Sequence, residues 1–369
     1  MERMALRRLF FGSRPDPDRI FLHELWFRGH NNPRFARLAP RLPRLDGYLI
    51  TISDWRPLRA AQFRLLRSTQ TLRYRLFVKS ANRRYASMFT IGIEQIQWFR
   101  GRIIVDLDEP HYDAREVELL NKPNVVAVVL TTEAVKRQLA ELGVTTPIHV
   151  IPQGVDLRSL SEADVNAVTR SHRDPGDLVI GYISAFFHAR SDRNFAPIYD
   201  LDHVLELWDG IRPRVPNAKL WLIGRATRRA QRLLAGRDDV VLFDSIPYGE
   251  ALPYIANFDI ALYPRQAKGG HRGPILAVKL IEYMGVGAPI VGYDLEITQI
   301  VNTAGAGILA RDPQDFIAAV EQLAHDETQR QRLGAAGKAF AASYDWSLLV
   351  ERYRTEVLDR YLCEEHIIE

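Results

Sequence analysis

The sequence predicts an α/β protein built from two doubly wound parallel-sheet halves, and three observations carry that expectation. Short, nearly all-apolar runs rich in Val, Ile and Leu alternate with amphipathic helical segments along most of the chain. A polar stretch, "RSLSEADVNAVTRSHRDPGD" (158–177), interrupts the alternation once, and the alternation then restarts. The length of 369 residues, 47% of them hydrophobic, suffices for two domains that each bury a core.

In the first half the expected strands are 19–27 (RIFLHELWF), 46–53 (DGYLITIS), 102–108 (RIIVDLD), 124–131 (NVVAVVLT) and 147–156 (PIHVIPQGVD). Between the last two, Thr132 is the expected N-cap of a helix, Val135, Leu139 and Leu142 mark its apolar face, and Gly143 closes it. In the second half the strands are expected at 178–184, 218–224, 240–246, 258–264, 288–294 and 306–310, with helices over 199–215 and 312–326. A final amphipathic helix starts near Trp346. The expected organisation is therefore a first domain over 1–157, a connection over 158–177, a second domain over 178–345, and a helix over 346–369 that crosses back to the first domain.

Cys363 is the single cysteine, which excludes a disulfide within the chain, argues against a cysteine-based zinc site and suits a reducing compartment. The N-terminal "MERMALRRLFFGSRPDPDRIF" has too short an apolar run for a signal peptide, and no stretch approaches the ~20 apolar residues of a spanning helix. A cytoplasmic protein, soluble or peripherally bound to the inner face of the membrane, is expected. The net charge of +4 hides a division: up to residue 105 there are 21 basic and 7 acidic residues, so the remainder is net negative. The stretch 56–102 holds eleven basic residues and one acid, Glu94. Three readings stand: solvated helix faces, an anionic membrane surface met by basic residues interleaved with Phe63, Leu72, Tyr74, Tyr85, Met88, Phe89 and Trp98, or nucleic acid, for which no recognition motif is present.

The stretches that carry chemistry lie in the second half. In "GPILAVKLIEYMGVGAPIVGYDL", a helix from about Leu276 to Val286 puts Leu276, Leu280, Tyr283 and Met284 on one stripe. Lys279, Glu282 and Val286 share another, which holds Glu282 off the core. Glu282 is then either an exposed i, i+3 ion-pair partner of Lys279 or a ligand-binding carboxylate. The preceding "YPRQAKGGHRGPILAVKL" sets Gly269, Gly270 and Gly273 among Lys268, His271 and Arg272. Glycines beyond a strand's carboxyl end let backbone N–H groups approach a ligand, and a following helix N-terminus favours an anion. That loop is a candidate phosphate site.

These residues carry a resemblance. The segment 273–295 resembles the C-terminal-domain signature of glycosyltransferases of the GT-B fold, in particular the retaining family-4-like (group 1) enzymes. "VVAVVLTTEAVKRQLAELGVTTPIHVIPQGVDL" resembles the last strand–helix–strand of their N-terminal domain, and "LVIGYIS", "PNAKLWLIG", "VVLFDSIPYGEALPYIANFDIALYP" and the closing "YDWS" helix fall in the family's order. The likeness spans roughly residues 102–362. It implies two Rossmann-like domains facing across a cleft, hinge closure, and transfer of a sugar from a nucleoside diphosphate, UDP or GDP, to an acceptor. The nucleotide sugar is then a co-substrate, with no other cofactor and no metal. Retention and an acceptor of the lipid-linked or envelope-polysaccharide kind are further implications.

By the resemblance Glu282 binds the ribose hydroxyls, and Ile246 and Pro247 lie beside the base, although "DSIPYGEAL" also reads as an ordinary strand–helix turn. The sequence departs from the family pattern in three places. Pro274 stands where many members carry a first glutamate, and "SAFFHARSDRN" replaces the usual glycine-arginine after the second domain's first strand, with Tyr199 at the place of a lysine. Diphosphate neutralisation is therefore expected from among Arg190, Arg193, Lys268, Arg272 and Lys279. In the first half, Asp106, Asp108, Glu109 and His111 end a strand; Asp108 and His111 are candidates for a general base or sugar-positioning group, while Asp108 and Glu109 also suit helix caps. Gly29, His30 and Asn31 follow the first strand as the family's acceptor-side loop does. The rivals are a nucleotide-sugar epimerase or hydrolase on the same fold, and an inactive sugar-nucleotide or membrane-binding member.

Overall fold

The computed structural model describes residues 16–27, 45–52, 76, 78–91, 93–107, 114–193, 195–244, 246–247, 250–266 and 276–362. The chain divides into two compact units, one comprising residues 1–153 and 347–369 and the other residues 154–346.

The first unit is built on a six-stranded parallel sheet of β1 (Asp16–Phe27), β2 (Leu45–Ile52), β3 (Tyr85–Ile91), β4 (Arg102–Leu107), β5 (Val125–Leu130) and β6 (Ile148–Val150), in the order β2-β1-β3-β4-β5-β6. The strands expected from β-branched runs are present, and one more sits among them. "YASMFTI", inside the arginine-rich stretch, is β3, paired with β1 on one side and β4 on the other. Tyr85, Met88 and Phe89, grouped in the sequence reading with membrane-facing residues, are 2%, 0% and 1% exposed in the core. That part of the membrane reading is corrected: alternate residues of a central strand point into the two covered faces.

Helix α1 (Ala114–Leu120) and α2 (Glu133–Glu141) cover this sheet. Thr132 caps α2 by accepting from the Val135 N–H, and Val135 and Leu139 are buried. Leu142 is 47% exposed and forms no part of the buried face, because the helix ends there and Gly143 turns the chain at φ +90°.

The second unit begins with the expected connection, which here is part of the domain. Residues 162–172 form α3 (Glu162–His172), capped by Ser161. Val168 enters the core, the Thr169 hydroxyl donates to the Asn257 side chain (2.6 Å), and Arg173 pairs with Asp259 (2.6 Å). Burial pushes the Asp259 carboxyl up, although the Val179 N–H and Arg173 act against it.

The second sheet consists of β7 (Leu178–Phe187), β8 (Ala218–Ala226), β9 (Val240–Phe243), β10 (Ile260–Tyr263), β11 (Ile290–Tyr293) and β12 (Gly307–Ala310). Its order, β12-β11-β10-β7-β8-β9, is that of a dinucleotide-binding doubly wound sheet read from its far edge. Every pairing is parallel. Both faces are therefore covered, as the near-continuous apolar strands require. One face holds α4 (Leu201–Ile211), whose Leu201, Val204, Leu205, Trp208 and Ile211 are buried, each such side chain contributing about 1.5–3 kcal/mol. After α5 (Arg228–Leu234) and α6 (Leu252–Ile255) comes α7 (Val278–Val286), on the opposite face with Leu280, Ile281, Tyr283 and Met284 buried. Then follow α8 (Gln299–Ala304), α9 (Pro313–His325) and α10 (Glu327–Ala341).

From Ser347 the chain belongs to the first unit again. Helix α11 (Trp346–Arg352) widens into a π turn over Tyr353–Leu358. Tyr353 is fully buried, lies edge-on to Phe89 and donates its hydroxyl to Asp106 (2.7 Å). Arg352 donates to the Val150 carbonyl (2.8 Å), and the Tyr361 hydroxyl lies 3.0 Å from His149 Nε2. Asp106, at the end of β4, thus anchors the closing segment. No helix among the described residues is long and apolar enough to cross a membrane.

Candidate functional site in the second unit

The strand order reverses between β7 and β10, and in open parallel sheets ligands settle beyond the carboxyl ends at such a reversal. The β7–β10 register runs only over Ile180–Ile260 and Gly181–Ala261. Two residues further along β7, the Ile183 peptide is held from α7 instead. Its N–H donates to the Tyr283 hydroxyl (3.0 Å), and its carbonyl accepts from Lys279 Nζ (2.7 Å). The sheet therefore opens at this end, and side chains of one helix line the gap.

Lys279 is half-buried. Its ammonium lies 5.0 Å from the ring centre of Tyr182 and 5.9 Å from that of Tyr263. Burial lowers its pKa to about 8; Glu282 opposes the shift and Arg265 reinforces it. A cation held beside two aromatic faces and one carbonyl, with an arginine near, is a site short of negative charge. Arg265 lies two residues past Tyr263, the last residue of β10, and adds the second positive group. Glu282 is 6% exposed, which corrects the expectation of a surface stripe. The wheel that separates Lys279 and Glu282 from the core ignores β7, whose carboxyl end covers the second stripe.

Two glycines fix this helix. Gly287 ends α7 at φ +82°, a conformation that side-chain-bearing residues rarely adopt. A Cβ on Gly334 of α10 would lie 2.2 Å from the Gly287 carbonyl oxygen, so the two helices touch at backbone distance.

Arg190 follows β7 but is engaged elsewhere. Its guanidinium is bidentate to Glu206, its Nε donates to Asp200 (2.9 Å), and its backbone N–H donates to Asp202 (2.8 Å). The hydrogen bonds with Glu206 raise the Arg190 pKa and lower that of Glu206. One cation among three carboxylates leaves a net negative cluster, so the expected catalytic use of Arg190 against a diphosphate has no support here. Arg193 is exposed. Ile246, half-buried on the core, and exposed Pro247 follow β9, also at a carboxyl end. Asp108, His111, Gly29, His30, Asn31, Lys268, Arg272 and Gly273 lie outside the described residues.

Sequence reasoning passed over Arg265, Tyr182 and Tyr263. The available signal was position: Tyr263 and Arg265 lie at and just past the carboxyl end of β10, and Tyr182 lies in β7 one residue beyond the end of its pairing with β10.

Two all-parallel, doubly wound sheets on one chain define the GT-B architecture, and solved structures share it. HepE of Anabaena, in a complex with UDP and glucose, superposes with a TM-score of 0.67 at 14% identity, over 93% of this chain and 100% of that one. Sucrose-phosphate synthase from Thermosynechococcus elongatus gives 0.66 at 13%, over 93% and 99%. WaaG, a glycosyltransferase involved in lipopolysaccharide biosynthesis, gives 0.62 at 12%, over 93% and 99%. No curated protein sequence matches the chain. Residues 186–326, most of the second unit, match the model for glycosyl transferases group 1.

Proposed function

We propose that the protein transfers a sugar from a nucleoside diphosphate sugar, with UDP the first base to test, to an acceptor held by the first unit. The observation that supports this reading most is the half-buried Lys279, its ammonium held beside Tyr182 and Tyr263 where the strand order of the matched domain reverses. Bringing a diphosphate there supplies the anion that burial denies this lysine, and Arg265 shares the charge. Glu282, three residues on along α7, accepts from the ribose hydroxyls, a task suited to a carboxylate with several lone pairs. As the sugar–phosphate bond breaks, negative charge grows on the leaving diphosphate, and cations fixed beforehand favour that state over the bound donor. Transfer proceeds with retention and with side chains rather than a metal meeting the leaving charge. The bound UDP and glucose of HepE agree with the donor class.

The test is a thermal-shift panel of nucleoside diphosphates and their sugars, followed by turnover with and without added carbohydrate or lipid-linked acceptors. Stabilisation by one diphosphate and its sugar, weakened at least tenfold by Glu282→Gln, is expected. Donor consumption without acceptor identifies an epimerase or hydrolase; binding without turnover identifies an inactive member.

Peripheral attachment to an anionic membrane is the second part of the proposal. Lys79, Arg83 and Arg100 are exposed near the amino ends of β3 and β4, joined by Asn82, which bonds to the Trp98 carbonyl and the Arg100 N–H. Cosedimentation with phosphatidylserine vesicles that weakens steeply between 0.1 and 0.5 M salt, as the Debye length falls from about 10 to about 4 Å, is the expected result.

A further inference from the structure

Helix α4 buries one ionisable side chain in its apolar stripe. His203 is 5% exposed, between Leu201 and Val204 and one turn before Leu207. An apolar residue there would pack without desolvating a polar group, so the imidazole needs another account. Its contacts supply one. The Gln266 amide nitrogen lies 3.0 and 3.1 Å from its two ring nitrogens, and the Tyr293 hydroxyl lies 3.1 Å from Nε2. The Tyr293 ring stacks on the imidazole at 5.8 Å and 24°. Glu206 Oε2 is 3.6 Å from Nδ1, and Glu206 is the carboxylate that holds Arg190.

These partners come from three adjacent carboxyl ends. Arg190 follows β7, Gln266 follows β10 and Tyr293 ends β11. Gln266 adjoins Arg265, the second cation beside Lys279. We propose that His203 is a positioning residue, tying the ends of β7, β10 and β11 together so that Arg265 is fixed beside Lys279 for the donor diphosphate. The inference rests on the donor-site reading above.

The tie requires a neutral ring. A neutral imidazole accepts from Gln266 or Tyr293 at one nitrogen; an imidazolium has two donors and no acceptor, and turns toward Glu206. The charged groups facing the ring are Asp200 and Glu206 from α4 and its cap, and Arg190 from the loop after β7; Tyr293 faces it from β11 and the neutral Gln266 from β10. Burial lowers the His203 pKa and outweighs the two carboxylates. Donor affinity therefore falls only as the pH drops through the folded ring's own pKa, which burial holds below the ordinary histidine value.

The experiment compares the wild-type chain with His203→Phe, which keeps the ring volume, and Tyr293→Phe, which removes one hydroxyl. Amide hydrogen exchange of the protein without nucleotide is followed in peptides covering 258–266 and 290–296. UDP affinity is measured by calorimetry at pH 5.5 and 7.5. Expected are exchange at least tenfold faster at 265–266 in His203→Phe and smaller acceleration in Tyr293→Phe. A donor KM raised about tenfold with kcat changed less than threefold should accompany it, with a UDP affinity that no longer falls at pH 5.5. Unchanged exchange in both variants overturns the tie. Faster exchange in a protein that binds no nucleotide even as wild type keeps the tie and removes the donor-site reading. Wild-type KM and pH dependence in His203→Phe overturn the positioning role.

Discussion

Lys279→Met removes the charge beside Tyr182 and Tyr263 and keeps most of the stem. The displacement of the lysine pKa from its ordinary 10.5 to about 8 sets the scale of what burial, offset by Glu282 and reinforced by Arg265, costs the ammonium in the unliganded protein. At about 1.4 kcal/mol per pKa unit that cost is about 3 kcal/mol. Against it stands the bond to the Ile183 carbonyl, a charge-assisted contact of about 1.5–3 kcal/mol that the methionine loses. The two nearly cancel, so the variant without ligand should unfold within about 1 kcal/mol of wild type at pH 7. The pH dependence separates the terms. The folded lysine releases its proton near pH 8 and the unfolded one near 10.5, so the penalty is complete below pH 8 and is relieved as pH rises between those values. Wild type should gain about 2 kcal/mol relative to Lys279→Met between pH 7 and pH 9.5, a relative rise in Tm of roughly 4–8 °C for a unit of this size. Binding gives a second readout. A diphosphate restores the lysine's affinity for its proton, so UDP binding at pH 8 should take up about half a proton, seen by calorimetry in buffers of different ionisation enthalpy. The variant should take up none and bind at least tenfold more weakly. A stability difference that stays flat from pH 7 to 9.5 refutes the reasoning about burial; equal UDP affinity in the variant refutes the role at the site.

Arg190→Gln should weaken UDP binding less than Lys279→Met does, because the guanidinium answers Glu206 and Asp200 and reaches the donor site only through His203; calorimetry of the purified variant decides this. Tyr353→Phe should cost the first unit about 2 kcal/mol, since it strips a buried donor from Asp106; urea midpoints measure it. Burial depresses His203 and His149 alike, so stability present above pH 6.5 should decline as the pH falls from there toward their lower folded values. The decline should be smaller in His149→Phe than in wild type, read from urea titrations at pH 5.5 and 7.5.

The second unit was largely legible in the sequence, because each strand there is an apolar run bounded by turn residues. β3 was not. "YASMFTI" carries Ser87 and Thr90 and sits among arginines, so composition masked a strand whose place is set by β1 and β4 on either side. Lys279 and Glu282 were found as residues but misplaced as surface, since a helical wheel knows one neighbour and α7 has two. The fate of Arg190 depended on Asp200, Asp202 and Glu206, ten to sixteen positions on, which only the return of α4 brings to it. His203 was passed over in the sequence; its meaning lies in Gln266 and Tyr293, which the sheet order alone makes neighbours.

A crystal structure of the protein with UDP bears on the central claim most directly. The account predicts phosphate oxygens within hydrogen-bonding distance of Lys279 Nζ or the Arg265 guanidinium, and the ribose against Glu282. Nucleotide density elsewhere in the second unit, with Lys279 still bound to the Ile183 carbonyl and remote from any phosphate, would contradict it.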